Sequence, residues 1–237
     1  MIKENNILGN SIDGESYVGK SSTLEAMKSI ESLREKGIII VPEYAVMGEF
    51  VKFPRESKSD LKTSIQRIID IEKKRTDFLA DELSKNGSSN VLFDRGPVSC
   101  IAFEYAAEKA GFKGAALWMA DAFQKEISDK NIIVPNGNIH LTASRGIIEE
   151  RRKIDLLKGK GDIMEFLKDE NVVKNLNEAF SVYRDMLPEQ LFLSLSTDGK
   201  TPDEVGAYLL QFIKDQDEEK IVNIPDYVAY AEKLIKK

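Results

Sequence analysis

A chain of 237 residues is long enough to bury a substantial core as one α/β domain, and length alone does not call for two. Its 42% hydrophobic and 31% charged residues are the balance of a soluble globular protein, and a net charge of −6 argues against a surface built for nucleic acid or anionic membrane. A single cysteine, Cys100, excludes an intramolecular disulfide. With no secretory apolar segment and no membrane-length run, the expected compartment is reducing and cytoplasmic.

In chain order, Ile7 to Asp13 stands where a first strand is needed, although Asn10, Ser11 and Asp13 interrupt Ile7, Leu8 and Ile12. Leu24, Met27, Ile30 and Leu33 predict a helix over Leu24 to Glu35 that Gly37 ends. The β-branched run Ile38 to Val41 predicts a strand buried on both faces, and Pro42-Glu43-Tyr44 leaves its end. Ala45 to Lys58, with Pro54 inside it, predicts a mobile loop. A long helix follows from Asp60 to Leu83, with Leu61, Ile65, Ile68 and Ile69 facing in and Glu72 facing out.

After the turn Asn86 to Asn90, Val91-Leu92-Phe93 forms a third strand that ends on Asp94. Helices are predicted over Pro97 to Ala110 and Ala115 to Ser128. A turn at Pro135 to Asn138 leads into a fourth strand, Ile139 to Thr142. The charged helical run Arg145 to Lys158 breaks at Gly159-Lys160-Gly161. A helix over Asn171 to Met186, a fifth strand over Leu191 to Leu195 and a helix over Asp203 to Ile213 follow. A charged tail begins at Asp215 and carries a short amphipathic helix, Tyr227 to Ile235. Strands alternating with helices predict a three-layer parallel α/β domain spanning 1–237, with a movable segment at about 145–165 and a charged extension at about 215–237.

Gly14-Glu15-Ser16-Tyr17-Val18-Gly19-Lys20-Ser21 fits the phosphate-loop pattern G-x-x-x-x-G-K-S/T without a mismatch. Gly14 and Gly19 allow the backbone N–H groups to curl around phosphate oxygens. Lys20 reaches the outer phosphates, the Ser21 hydroxyl is a Mg²⁺ ligand, and the helix N-terminus with Ser22 faces the same anion. Asp94 and Arg95 sit at the carboxyl end of a strand, where ligands bind open parallel sheets. There Asp94 can hold Mg²⁺ and Arg95 can grip a phosphate.

Arg145, Arg151 and Arg152 can neutralise charge that builds during phosphoryl transfer. Equally, Arg145, Glu149 and Arg152 share a helix face, so Glu149 can simply pair with both arginines. Glu43 occupies another strand's carboxyl end. His140 and Cys100 read as core residues.

Asp94-Arg95 followed by Ser99, Ala102, Phe103 and Glu104 resembles the second motif of the thymidylate kinase group, Asp-Arg-x-x-x-Ser-x-x-Ala-Tyr-Gln. With the phosphate loop, Arg75 and the basic run at Arg145 to Lys153, the resemblance spans roughly residues 7 to 213. It implies a five-stranded P-loop NTPase fold with a lid at the movable segment, and transfer of the ATP γ-phosphate with Mg²⁺. Thr197-Asp198-Gly199 is similar to the family's adenine-contacting region. Arg75, Glu43, Phe103 and Glu104 take acceptor-side positions.

Three departures stand out. Pro42-Glu43-Tyr44 lacks the family's glycine pair, Ser16 replaces an aspartate, and Glu104 replaces the glutamine that reads thymine. A carboxylate accepts from the thymine N3–H but cannot donate to O4, so an acceptor offering an amino donor suits Glu104 better. The related deoxynucleoside kinases carry an acid at the Glu43 position that acts on the sugar hydroxyl. The residues thus point to an ATP-dependent kinase of a nucleoside monophosphate or nucleoside, a small-molecule partner, with homodimerisation left open. A nucleotide-binding regulator with weak ATPase activity and a small-metabolite kinase are the alternatives.

Overall fold

The computed structural model describes residues 9–29, 38–48, 57–86, 90–159, 165–219 and 225–237. Five strands, β1 (Asn10–Asp13), β2 (Ile38–Val41), β3 (Asn90–Asp94), β4 (Gly137–Thr142) and β5 (Phe192–Ser196), form one parallel sheet in the order β2-β3-β1-β4-β5. β1 is therefore central, with β3 on one side and β4 on the other. Consecutive connections diverge at its carboxyl end, which opens a crevice there.

Nine helices are described: α1 (Lys20–Ser29), α2 (Tyr44–Met47), α3 (Lys58–Asn86), α4 (Pro97–Lys109), α5 (Ala116–Ser128), α6 (Arg145–Leu157), α7 (Glu170–Arg184), α8 (Pro202–Glu219) and α9 (Tyr227–Ile235). Among the described residues, no helix is long and apolar enough to cross a membrane. Ile12, Leu92, Ile139 and Leu141 meet α1 and α8 on one face of the sheet, in a core with Leu24, Met27, Leu209 and Ile213. On the other face, Ile39, Val41, Val91 and Phe93 meet Leu79 of α3. A third cluster joins α3, α4, α5, α7 and α9. The fold is thus a three-layer α/β architecture, as the alternating pattern predicts.

The polar residues of β1 follow from the two-residue period of a strand. Ile12 points into the α1 and α8 core, so Ser11 and Asp13 must point the opposite way. There they meet Asn138 of β4 and Ser99 of α4. Asn138 Nδ2 donates to Ser11 Oγ at 2.9 Å and to Asp13 Oδ2 at 2.5 Å. A buried polar seam replaces the apolar strand face that the sheet would otherwise need.

Several expectations change. β1 starts at Asn10, and residues 1–8 lie outside the described residues. α1 begins at Lys20, inside the phosphate loop, and 30–35 of the expected helix, with the Gly37 that should end it, lie outside the described residues. Part of the expected mobile loop is helix, because Tyr44–Met47 forms α2 with Tyr44 buried; 49–56 lie outside the described residues. The break at 160–161 does too, as do 87–89 of the expected turn. Gly137 and Asn138 belong to β4 rather than to a turn, paired with Asn10 and Ser11.

Glu72 faces inward and is fully buried, with Arg75 as its partner. Residues 227–235 are no surface extension. Tyr227, Tyr230, Ala231 and Leu234 are wholly buried against the α4, α5 and α7 core, and Tyr230 Oη donates to the Ala179 carbonyl at 3.1 Å.

Candidate active site

The phosphate loop leaves β1 through Gly14, whose φ of +136° suits glycine; a Cβ there would lie 2.3 Å from the Leu141 carbonyl oxygen. The buried ammonium of Lys20 turns back into the loop. It donates to the carbonyls of Gly14 at 3.1 Å and Glu15 at 2.7 Å. Burial, helped by the nearby Arg95 charge, pulls its pKa down to about 7. Ser21 and Ser22 are exposed on the first turn of α1 and line a shallow groove with Glu25 and Asp203.

From β3, Arg95 reaches the same loop. Its Nη1 donates to the Gly14 carbonyl at 2.9 Å, the oxygen that Lys20 also contacts, and its Nε donates to Glu43 Oε1 at 2.6 Å. Burial alone would raise the Glu43 carboxyl, but the Arg95 guanidinium outweighs it and holds Glu43 below the usual carboxylate range. The neighbouring Asp94 is pushed upward by burial and by the Glu43 charge. Glu15 is also raised, again by burial.

Arg95 adopts φ +64°, a left-handed conformation that costs a non-glycine residue roughly 1–3 kcal/mol unless its surroundings enforce it. Here they do. Its N–H donates to the Ile12 carbonyl at 3.1 Å, and the next N–H, of Gly96, donates to Asp13 Oδ1 at 3.1 Å. Ser99 Oγ also donates to Asp13 Oδ1.

The loop's far side is held by β5. Thr197 Oγ1 donates to the Val18 carbonyl at 2.8 Å and accepts from Arg151 Nη1 at 2.9 Å. Arg151 also donates to the Tyr17 carbonyl at 3.2 Å and the Thr197 carbonyl at 3.3 Å. Asp198 accepts from the Ser144 N–H, at the start of α6, through both carboxylate oxygens. Thr197 and Asp198 therefore tie β5 to the phosphate loop and α6. Arg145 and Arg152 behave differently, for both pair with Glu149, at 2.9 and 3.3 Å.

Beside the loop lies a cavity of about 440 Å³ between α2, α3, α4, α6 and α7. It gathers Gly14, Glu15, Ser16, Tyr17, Glu43, Arg95, Phe103, Glu104, Arg145 and Arg152 from the sequence-derived set. Tyr44, Ile68, Val172 and Leu176 form apolar wall. Glu104 is almost fully buried, and its Oε2 accepts from the Ala115 N–H at 3.0 Å, so it has a structural task besides facing the cavity.

Arg75 is the residue most out of place. It does not line the cavity; it is fully buried behind the Asp94-Arg95 turn, against Glu72. His140 is a core residue. Its ring stacks on Phe180 at a centroid distance of 4.4 Å, and burial lowers its pKa to about 4. Cys100 lines the cavity, with its thiol pushed up by burial.

Asp13, Glu72 and Tyr44 were missed as site-building residues. For Asp13 a signal existed, since a carboxylate in a central strand next to Gly14 has to be satisfied by something built for it.

The oxygen donors fit a hard cation such as Mg²⁺. Asp94 Oδ1 is buried and has no hydrogen-bond partner among the described residues. The same residues contain no cluster of three His, Cys, Asp or Glu that could hold a metal by itself. A Mg²⁺ site of one or two protein oxygens completed by phosphates matches that donor set.

A phosphate loop between a central strand and a helix, on a five-stranded parallel sheet of this order, gives the molecule the three-layer P-loop NTPase fold. Among solved structures, thymidylate kinase from Candida albicans is similar, with a TM-score of 0.56 and 18% identity over 92% of this chain and 96% of that one. At that identity the likeness speaks to fold. No family model matches the chain. No curated protein matches it.

Proposed function

We propose that the protein is a Mg²⁺-ATP-dependent phosphotransferase of the thymidylate kinase-like group, moving the γ-phosphate to a nucleoside monophosphate or nucleoside. The observation that carries this reading is the meeting of Lys20 Nζ and Arg95 Nη1 on the carbonyl of Gly14, which with Arg95 lines the 440 Å³ cavity. Two cations converge where a transferring phosphoryl would lie, and an apolar pocket of ligand size opens beside them.

In this reading residues 1–237 work as one domain with a lid at about 145–165. The loop N–H groups and Lys20 hold the donor phosphates, with Thr197 and Asp198 on the adenine side. Ser21 and Asp94 would hold Mg²⁺, which when bound supplies charge neutralisation across the phosphates. Arg95 and Arg151 stand at the loop already. Arg145 and Arg152 would exchange Glu149 for phosphate oxygens as negative charge develops. Glu43, kept ionised by Arg95, can take a proton from an acceptor hydroxyl. Phe103 and Glu104 contact the acceptor body.

The test is ADP release across a panel of nucleosides, nucleoside monophosphates and small alcohols, in wild type and Lys20→Ala. Turnover with at least one nucleoside or monophosphate is expected, and the folded Lys20→Ala protein should lose it by about 10²-fold or more. Undiminished activity in Lys20→Ala would end the reading. Release only with an alcohol that is not a nucleoside would identify a metabolite kinase. Release only with an added protein would identify a nucleotide-dependent regulator.

A further inference from the structure

Arg75 is among the largest side chains in the protein with no solvent exposure. A guanidinium is buried only where its charge and its donors are matched. Nη1 pairs with Glu72 Oε2 at 2.7 Å. Nη2 donates to the carbonyl of Arg95 at 2.6 Å and to that of Asp94 at 3.3 Å. The guanidinium carbon lies 4.1 Å from the Tyr44 ring centroid and 5.6 Å from that of Phe93. The side chain is thus clamped by an acid on its own helix and by two rings, and its Nη2 is committed to one turn, while Nε is buried without a hydrogen-bond partner among the described residues.

That turn is where Arg95 takes its left-handed conformation. Ile12 fixes the Arg95 N–H, Asp13 fixes the Gly96 N–H, and Arg75 fixes the Arg95 carbonyl. With the backbone in this conformation, the Arg95 side chain reaches the Gly14 carbonyl and Glu43. We infer that Arg75, held by Glu72, is a positioning residue: it does not touch the acceptor, and it acts by locking the turn that aims Arg95 at Glu43 and the phosphate loop. The inference rests on the phosphotransferase reading for its kinetic consequence and on geometry for its structural one.

The test compares Arg75→Met, the paired Glu72→Gln/Arg75→Met variant, and Arg75→Lys, each alone and combined with Arg95→Ala. The paired variant leaves no lone buried charge and should fold even where Arg75→Met does not. The expected result is a kcat loss on the order of 10²-fold, as for removal of one preorganised charge, with KM for ATP changed by less than about threefold. In the Arg95→Ala background the same substitutions should cause no further loss, because their target is already gone. Arg75→Lys keeps a cation beside Glu72 but not the planar fork, so it should fall between wild type and Arg75→Met.

Multiplying losses in the combined variants would overturn the inference. So would an acceptor KM raised about tenfold at constant kcat, which would mean direct contact. If the wild-type protein releases no ADP with any acceptor, the phosphotransferase reading fails instead. A crystal structure of the paired variant then decides the geometric claim. Arg95 leaving positive φ and parting from Glu43 supports it; an unchanged turn sinks it.

Discussion

Lys20 shows how far a single side chain departs from its ordinary chemistry. Its pKa falls from 10.5 to about 7 because burial disfavours the ammonium, with Arg95 adding repulsion. Below pH 7 the folded protein carries that buried charge and bears its full cost. Between pH 7 and the ordinary lysine value the folded state releases the proton while the unfolded chain keeps it. On this account the Lys20 contribution makes stability rise across that window. A triphosphate arriving beside Lys20 reverses the balance by favouring the charged form. ATP binding at pH 8 should therefore take up protons, visible in calorimetry as a heat that changes with buffer ionisation enthalpy. A buffer-independent heat at that pH would contradict the assignment.

At the scale of elements, the arginines of α6 separate for a geometric reason. Arg145 and Arg152 lie on the Glu149 face, whereas Arg151 is turned about 100° from Arg152 and enters the phosphate loop instead. Periodicity in the sequence established the shared face but not which face would meet β5. α9 makes the reverse point. Its boundaries, Tyr227–Ile235, are those the amphipathic pattern predicts, yet its place in the core became evident only from packing. Leu234 is fully buried among apolar neighbours, so Leu234→Ala should cost about 2–5 kcal/mol in urea denaturation. Glu232→Ala on the exposed face, whose partner Lys236 sits at a loose 3.5 Å, should stay within about 0.5 kcal/mol. Equal effects would show that the helix is not docked as described.

For the whole molecule, ligand binding and folding share one balance sheet. A nucleotide that binds only the folded state at about 100 times its Kd adds about 2.7 kcal/mol, which in a chain of this size raises Tm by roughly 5–10 °C. MgATP should give such a shift. Chelating Mg²⁺ with EDTA should reduce it markedly if Ser21 and Asp94 share the cation with the phosphates. An identical shift in EDTA would remove Asp94 from the metal site and leave its unpartnered Oδ1 in need of another explanation.

Local chemistry was readable before any coordinates. The phosphate loop is a contiguous eight-residue pattern, and the alternation of apolar runs with helical periods dictates a parallel three-layer sheet, because both signals depend only on near neighbours in the chain. Partnerships between distant residues were not readable. Arg75 and Arg95 are 20 positions apart, Arg95 and Glu43 are 52, and Asp13 and Gly96 are 83. Glu72 read as an outward charge for the same reason, since nothing in its neighbourhood of sequence reveals that it is wholly buried against Arg75, whose guanidinium packs in turn on the rings of Tyr44 and Phe93. Burial of a charge is settled by what packs around it, and only the folded chain brings that company together.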